Sequence, residues 1–110
     1  MKPTLAIIIP CLNEELSIES TVNSLFEVIH DLIVKQKISE NSYVYIIDDG
    51  SKDRTWKIVE KLHKQNSLIK GIKFIRNYGN QKALIAGLEG VRKIGCDCVV
   101  SIDADLQQDQ

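Results

Sequence analysis

The acidic residues around position 104 have the types and spacing that metal chemistry needs. An apolar run over residues 98–102 is followed by Asp103-Ala104-Asp105, so two carboxylates stand one residue apart at the end of a predicted strand. Like charges this close repel each other, which predicts a cation between them. A hard divalent cation held by Asp105, with help from Asp103 or Gln107, would let this acidic turn accept a diphosphate that it would otherwise repel.

Two further polar turns follow apolar runs earlier in the chain. Asn13-Glu14 comes after the first run, and Asp48-Asp49 comes directly after the second. Ligands of open α/β sheets bind outside the carboxyl ends of the strands, so the three turns are expected to line one polar cleft. Because alternate side chains of a strand point to opposite faces, only one of the two adjacent aspartates is expected to face that cleft.

The glycine loops that usually hold phosphates do not occur in this sequence. It contains neither Gly-x-Gly-x-x-Gly nor Gly-Lys followed by Ser or Thr. Dinucleotide-binding and P-loop interpretations therefore fail at their defining residues. A metal held by carboxylates is the remaining route to a bound phosphate.

Composition narrows the class of protein. The chain has 110 residues, of which 44% are hydrophobic and 26% charged, as in a single small soluble domain. Its net charge of -1 lacks the basic excess typical of nucleic-acid binding. The three cysteines are too few and oddly numbered for a disulfide framework, which favours a cytoplasmic location. No apolar stretch approaches the ~18 residues of a membrane span.

Apolar runs and helical periodicity alternate along the chain. A continuously apolar run predicts a strand over residues 5–9 that is covered on both faces, and further strands are predicted over residues 43–47, 72–75 and 98–102. Between them, apolar residues at steps of three and four predict three helices. These helices are expected from an Asn13 cap to Leu32, from a Ser51 or Asp53 cap to Gln65, and over residues 81–93. The order predicts an α/β protein with a Rossmann-like three-layer α/β/α arrangement and a mostly parallel sheet.

Proline and glycine mark the predicted boundaries of these elements. Pro10 is expected to end the first strand, since it cannot donate to the ladder. Gly95 is expected to end the last helix. Gly87 and Gly90 lower the stability of that helix, so they predict close packing against the sheet.

A set of short motifs resembles the pattern of family 2 glycosyltransferases. In this chain the motifs read Ile9-Pro10-x-x-Asn13-Glu14-Glu15, Ile47-Asp48-Asp49-Gly50-Ser51-x-Asp53-x-Thr55, Arg76-Asn77-Tyr78-Gly79, Ala86-Gly87-Leu88 and Asp103-Ala104-Asp105-Leu106-Gln107. They occur in the family's order and span essentially the whole chain. The resemblance is strongest to the dolichol-phosphate mannosyltransferase-like and bactoprenol glucosyltransferase-like branch.

This resemblance implies the N-terminal half of a GT-A fold, with residues 1–110 forming the nucleotide-sugar-binding part of the catalytic domain. It implies inverting transfer of a sugar from a UDP- or GDP-linked donor to an acceptor such as a polyprenyl phosphate. Family members continue with an acceptor-binding half, so the catalytic base is expected beyond Gln110 and these residues alone are expected to be inactive. The parent enzyme is expected at the cytoplasmic face of a membrane. Sheet surface left uncovered predicts homo-oligomers.

The resemblance also assigns residues on the nucleoside side of the site. Pro10, Leu12 and Glu14 are similar to the loop that faces the base and ribose, although the family often has an aromatic residue where Leu12 stands. Asp49, beside Ile47, resembles the carboxylate that reads the base.

On the diphosphate side, Asp103 resembles the residue that contacts the donor. Asp105 and Gln107 resemble the ligands of Mg²⁺ or Mn²⁺. The motif that begins at Arg76 is a hallmark of the family to which the resemblance assigns no individual roles.

Two other functions fit parts of the pattern. Phosphohydrolases of the haloacid-dehalogenase type also place Asp-x-Asp after a strand, but on their first strand and with a catalytic lysine and further acids downstream. In this chain the acidic pair follows the last predicted strand. A non-catalytic, truncated nucleotide-binding module would share the acidic cleft without transferring a sugar.

Overall fold

Strands and helices alternate to form a parallel sheet with helices on both faces. The computed structural model describes residues 2–104. Within them the elements are β1 (Leu5–Cys11), α1 (Ile18–Val34), β2 (Tyr43–Asp48), α2 (Thr55–Gln65), β3 (Ile69–Lys73), α3 (Asn80–Ile94) and β4 (Cys98–Ser101). The four described strands pair in parallel in the order β3-β2-β1-β4. This arrangement confirms the predicted α/β class.

The direction of winding reverses at β1. The chain moves from β1 to β2 and β3 on one side and then crosses to β4 on the other. Such a reversal separates the loops that follow the two adjacent strands β1 and β4, and the crevice between them is where ligands of doubly wound sheets bind. The carboxyl ends of β1 and β4 are therefore the place to look for a site.

Two apolar cores lie on opposite faces of the sheet. Ile7 and Ile9 of β1 pack with α1 and α2, whereas Ala6 and Ile8 belong to the second core, which includes α3 residues. This alternation places β1 in the buried centre of the sheet, as its unbroken apolar run predicts. No helix within residues 2–104 has the length and apolar character needed to cross a membrane.

Helix α3 approaches the sheet through its glycines, as the sequence predicts. A Cβ atom at Gly87 would lie 2.7 Å from side-chain carbons of both Ile8 and Ile47. A Cβ atom at Gly90 would lie 2.5 Å from the hydroxyl of Tyr45. The helix ends at Gly95, whose φ of 108° suits glycine.

Pro10 does not end β1, so that prediction is wrong. The strand continues to Cys11 and pairs Pro10 with Ile47 of β2. The Cys11 carbonyl accepts the amide of Asp49 on the β2 side at 2.9 Å. Since successive residues direct their amide groups to opposite sides, the missing N–H of Pro10 faces the β4 side, where pairing with β4 ends at Ile8. The strand needs no donor there.

Asn13 does not cap the first helix, which begins only at Ile18. Its backbone is left-handed, with a φ of 54°, and its side-chain Oδ1 accepts the amide of Lys52 at 2.8 Å. Asn13 therefore serves a neighbouring loop rather than α1. The predicted apolar stripe of the helix is present, with Val22 and Ile29 fully buried.

The second helix begins at Thr55, later than a Ser51 cap would place it. Asp53 accepts the amide of Thr55 at 2.9 Å, although Arg54 is the residue directly before the helix. Of the two expected caps, only Asp53 thus bonds the first turn of α2.

The third strand runs over Ile69–Lys73, so it begins three residues earlier than the strand predicted over residues 72–75. β3 is an edge of the described sheet, so it tolerates polar residues that a central strand would not. The ammonium of Lys70 lies 5.8 Å from the centre of the Tyr43 ring. A Cβ atom at Gly71 would lie 2.9 Å from the Ile46 carbonyl oxygen, so glycine lets the strand and sheet approach closely.

Candidate functional site

A cavity of about 360 Å³ lies at the carboxyl ends of β1, β2 and β4. Its walls include five residues that the sequence assigns to donor binding: Pro10, Leu12, Glu14, Asp49 and Asp103. They lie in the last residues of three strands, β1, β2 and β4, or just after them, and the sheet order brings these strand ends together at the reversal point. The predicted polar cleft is therefore present in the folded chain.

Three of the predicted residues do not lie in the described walls of this cavity. Ile47 is fully buried in the core and packs against Gly87 of α3. Asp105 and Gln107 lie outside the described residues. Ile47 thus sits beneath Asp49 as part of the scaffold.

The adjacent aspartates of the second loop differ in position. Asp49 lines the cavity although it is 4% exposed, and its two carboxylate oxygens accept the amides of Tyr78 and Gly79 at 2.8 and 3.0 Å. Asp48 is 0% exposed and accepts the amide of Ser51 at 2.8 Å. The other oxygen of Asp48 has no hydrogen-bond partner among residues 2–104.

The loop before α3 contributes residues to which the sequence assigned no role. Asn77, Gly79 and Asn80 line the cavity. Their loop is held by Asp49 and by the stacking of Arg76 on Tyr78, where the guanidinium carbon lies 4.8 Å from the ring centre. In the sequence, the motif that begins at Arg76 is the feature that could have pointed to these residues.

Gly50 allows this loop to sit against the loop after β2. Its φ is +82°, and a Cβ atom there would lie 2.3 Å from the carbonyl carbon of Arg76. Both the backbone angle and the space exclude a side chain. Gly50 therefore lets the loop after β2 pack directly against the loop before α3.

The acidic turn after β4 is anchored through its middle residue. Ala104 is buried, and its carbonyl accepts the hydroxyl of Thr21 from α1 at 3.2 Å. Asp103, which precedes it, is exposed and lines the cavity. The small residue between the two predicted acids is thus an attachment point, and Asp103 is left available to a ligand.

Negative charge converges at the floor of the cavity. Burial first, and then the charges of Asp48, Glu14, Asp53 and Asp49, raise the pKa of the Cys11 thiol well above its ordinary value. Cys11 is therefore a neutral thiol rather than a nucleophile, although it lines the cavity. The described walls contain carboxylates but no lysine or arginine side chain.

The described residues alone do not form a metal centre. Within residues 2–104 no group of three or more His, Cys, Asp or Glu side chains is placed to hold a metal ion. The oxygen atoms that the cavity presents, from Glu14, Asp49 and Asp103, are nevertheless the ligand type that Mg²⁺ and Mn²⁺ prefer. The donor set fits such an ion in chemistry, with its predicted ligands outside the described part.

A Rossmann-like sheet with an acidic cavity at its reversal point has the architecture in which doubly wound α/β proteins bind their ligands. Residues 6–110 match the family described as Glycosyl transferase family 2. The chain belongs to this family.

Known relatives and structures agree with that assignment. The chain is 46% identical to the uncharacterized glycosyltransferase YkoT of Bacillus subtilis, over 98% of this chain and 32% of YkoT. It is 34% identical to the undecaprenyl-phosphate 4-deoxy-4-formamido-L-arabinose transferase of Shewanella sediminis, over 93% of this chain and 28% of that protein. The chain thus spans about a third or less of the length of these relatives.

The fold matches that of a solved mannosyltransferase, PcManGT from Pyrobaculum calidifontis, in complex with GDP-Man and Mn²⁺. The TM-score is 0.68 at 23% identity, and the match covers 96% of this chain and 28% of the other. This likeness confirms the predicted GT-A type of α/β fold.

Proposed function

We propose that residues 1–110 form the donor-binding part of a glycosyltransferase that transfers a sugar from a UDP- or GDP-linked donor. The observation that carries this proposal is the cavity at the carboxyl ends of the strands, where Pro10, Leu12, Glu14, Asp49 and Asp103 converge from three different segments of the chain. Family membership over residues 6–110 supports the reaction class. In this proposal Asp49 and the loop around Leu12 and Glu14 hold the nucleoside, and Asp103 contacts the donor.

The transfer is proposed to depend on Mg²⁺ or Mn²⁺ held by Asp105 and Gln107. The described walls of the cavity carry carboxylates and no lysine or arginine, so a diphosphate would meet repulsion there without a cation. The metal would supply charge stabilisation for the departing nucleoside diphosphate. The solved mannosyltransferase with GDP-Man and Mn²⁺ supports this choice of ion.

The acceptor is proposed to be a polyprenyl phosphate, with inversion at the anomeric carbon. The support is the Shewanella relative, whose name specifies undecaprenyl phosphate. The catalytic base is proposed to lie beyond Gln110. A cytoplasmic site of action, at the membrane face where such lipids present their phosphate, completes the proposal.

Titration of UDP and GDP, with and without Mn²⁺, tests this function directly. The protein is expected to bind one of the two nucleotides in the presence of Mn²⁺ and to lose that binding in excess EDTA. Asp105→Asn is expected to abolish the metal-dependent part of the binding. Asp97→Asn is the matched control, because Asp97 is an exposed acid at the opposite end of β4. Equal binding in EDTA, or an Asp105→Asn variant with unchanged Mn²⁺ dependence, would contradict the proposal.

A further inference from the structure

The loop after β1 and the loop after β2 are joined by reciprocal hydrogen bonds, which we call the loop clasp. The amides of residues 13, 14 and 15 donate to Ser51 Oγ, Thr55 Oγ1 and Asp53 Oδ2 at 2.8, 2.9 and 3.2 Å. In return, the amides of residues 52 and 54 donate to Asn13 Oδ1 and Glu15 Oε1 at 2.8 and 2.9 Å. Three consecutive amides of the first loop are thus bonded by side chains of the second.

The clasp replaces regular structure at the point where the cavity is built. These amides belong neither to the ladder of β1 nor to the first turn of α1, which begins at Ile18. Asn13 has a left-handed backbone within this segment. Asparagine adopts this left-handed backbone more readily than other L-residues do, and the hydrogen bonds from the second loop hold the segment in this one conformation.

The direction of the hydrogen bonds at Thr55 is fixed by its neighbour. The Thr55 hydroxyl lies 2.6 Å from Asp53 Oδ1, and an ionised carboxylate only accepts. Thr55 therefore donates its one proton to Asp53 and presents a lone pair to the amide of Glu14. Thr55 is 0% exposed, so water does not compete for this position.

We propose that Ser51 and Thr55 are positioning residues for the cavity. Through the amides of Asn13 and Glu14 they hold the β1 loop so that Leu12 and Glu14 form its wall. The identity of the ligand rests on the proposed function. The arrangement of the loop itself does not, and it can be measured separately.

Ser51→Ala and Ser42→Ala form a matched pair that tests this role. Both serines are buried, and each accepts one backbone amide at an end of β1: Ser51 from Asn13 after the strand, Ser42 from Leu5 at its start, at 2.8 and 2.9 Å. Ser51→Ala is expected to speed hydrogen exchange at the amides of residues 13 and 14. It is also expected to weaken Mn²⁺-dependent UDP or GDP binding about fivefold. Ser42→Ala is expected to leave both unchanged while lowering the melting temperature to a similar extent.

A double-mutant cycle tests whether Thr55 acts through Glu14. Thr55→Val is expected to weaken nucleotide binding about fivefold in the wild type and by clearly less in a Glu14→Ala background, where only Leu12 remains to be positioned. Thr55→Ser keeps the hydroxyl and is expected to restore binding.

The outcomes separate the two proposals. Equal effects of Ser51→Ala and Ser42→Ala on exchange and binding would overturn the positioning role, as would an equal loss from Thr55→Val in both backgrounds. A wild-type protein that binds neither nucleotide would overturn the proposed function. In that case unchanged exchange at residues 13 and 14 in Ser51→Ala would overturn the clasp, and faster exchange confined to that loop would support it.

Discussion

Similar polar residues have different roles at the amino ends of the strands, which we call the amino edge, and at their carboxyl ends, which we call the carboxyl edge. At the amino edge, Ser42 accepts the amide of Leu5 and Asp97 accepts the amide of Thr4, so side chains complete the start of β1. At the carboxyl edge, side chains of one loop bond the backbone of another around a cavity. The acids also differ, because Asp97 is exposed whereas Asp48 and Asp49 are buried. The presence of buried acids beside the exposed Asp103, rather than polar composition, distinguishes the edge that carries the candidate site.

Substitution of a glycine with positive φ is expected to give the largest difference in unfolding free energy between the two edges. Gly50 at the carboxyl edge and Gly95 at the amino edge have φ values of 82° and 108°. A Cβ atom would collide with the Arg76 backbone at Gly50 but would meet nothing within 4 Å at Gly95. Gly50→Ala is therefore expected to cost roughly 2–5 kcal/mol, from backbone strain and overpacking together.

Chemical denaturation of both glycine variants checks this expectation. Gly95→Ala carries strain without the collision, so its loss of unfolding free energy is expected to be smaller by roughly 1–3 kcal/mol. Equal losses would mean that the loops at the carboxyl edge yield as easily as an open helix end. The close packing of the loops at Gly50 would then contribute nothing to stability.

Asp49 and Asp48 are neighbours in the chain, but only Asp49 lines the cavity. Asp49→Ala removes the acceptor for the amides of Tyr78 and Gly79 and the proposed contact with the base. Nucleotide binding is expected to weaken by roughly 1–3 kcal/mol, the cost of leaving polar partners unpaired. Asp48→Asn, whose side chain lies outside the cavity walls, is expected to alter stability with little effect on binding.

Isothermal titration of the same nucleotide with both aspartate variants gives the answer. If Asp48→Asn weakens binding and Asp49→Ala does not, the wrong aspartate has been placed at the base. A loss in both variants would show that the second loop moves as one unit.

Low pH is expected to lower the stability of the fold by protonating Asp53 at the carboxyl edge. Burial alone would raise its pKa, but hydrogen bonds from Thr55 and from the amide of Glu15 together hold the pKa of Asp53 below its ordinary value. A carboxyl group whose folded pKa is lowered stabilises the fold above its unfolded pKa of about 3.9. That contribution is lost as the pH falls through the lower, folded value.

Asp53→Asn isolates this contribution. At pH 7 the variant is expected to be less stable than the wild type by about 1 kcal/mol, and the difference is expected to shrink as the pH falls below about 4. Denaturant unfolding of both proteins at pH 7 and pH 3 measures it. A difference that stays constant across this range would show that the charge of Asp53 does not support the clasp.

The sequence predicts the central strands well because burial alone determines which residues they can contain. The unbroken apolar runs of β1 and β2 require burial on both faces, and the structure places both strands in the centre of the sheet. The outer strand β3 begins three residues before the predicted strand. An outer strand tolerates Lys70, and the close contact with the Ile46 carbonyl requires glycine at position 71. Periodicity is weakest where tertiary contacts decide the boundary.

In the candidate site, too, some features follow from local sequence and others are decided by tertiary contacts. Pro10, Leu12, Glu14, Asp49 and Asp103 converge as the motif order predicts, since each lies at or just after the carboxyl end of a parallel strand. The loop clasp could not be predicted, because it joins residues separated by 38 to 41 positions through side chains that also suit helix caps. Asn13 was expected to cap α1 for this reason. Only the fold shows that its partner is Lys52.

Surface ion pairs should give the smallest effects, and the same effects at both edges. Lys61 bonds Glu19 at 3.2 Å between the helices, near the start of α1, and Lys35 bonds Asp31 at 3.1 Å at its end. Both pairs are exposed, so water and salt screen them and each is expected to contribute less than about 0.5 kcal/mol. Lys61→Met and Lys35→Met should therefore shift the unfolding midpoint little and equally, and leave nucleotide binding unchanged. A Lys61→Met variant that weakens binding while Lys35→Met does not would show that exposed charge near the carboxyl edge also shapes the site, and burial would no longer suffice to separate the two edges.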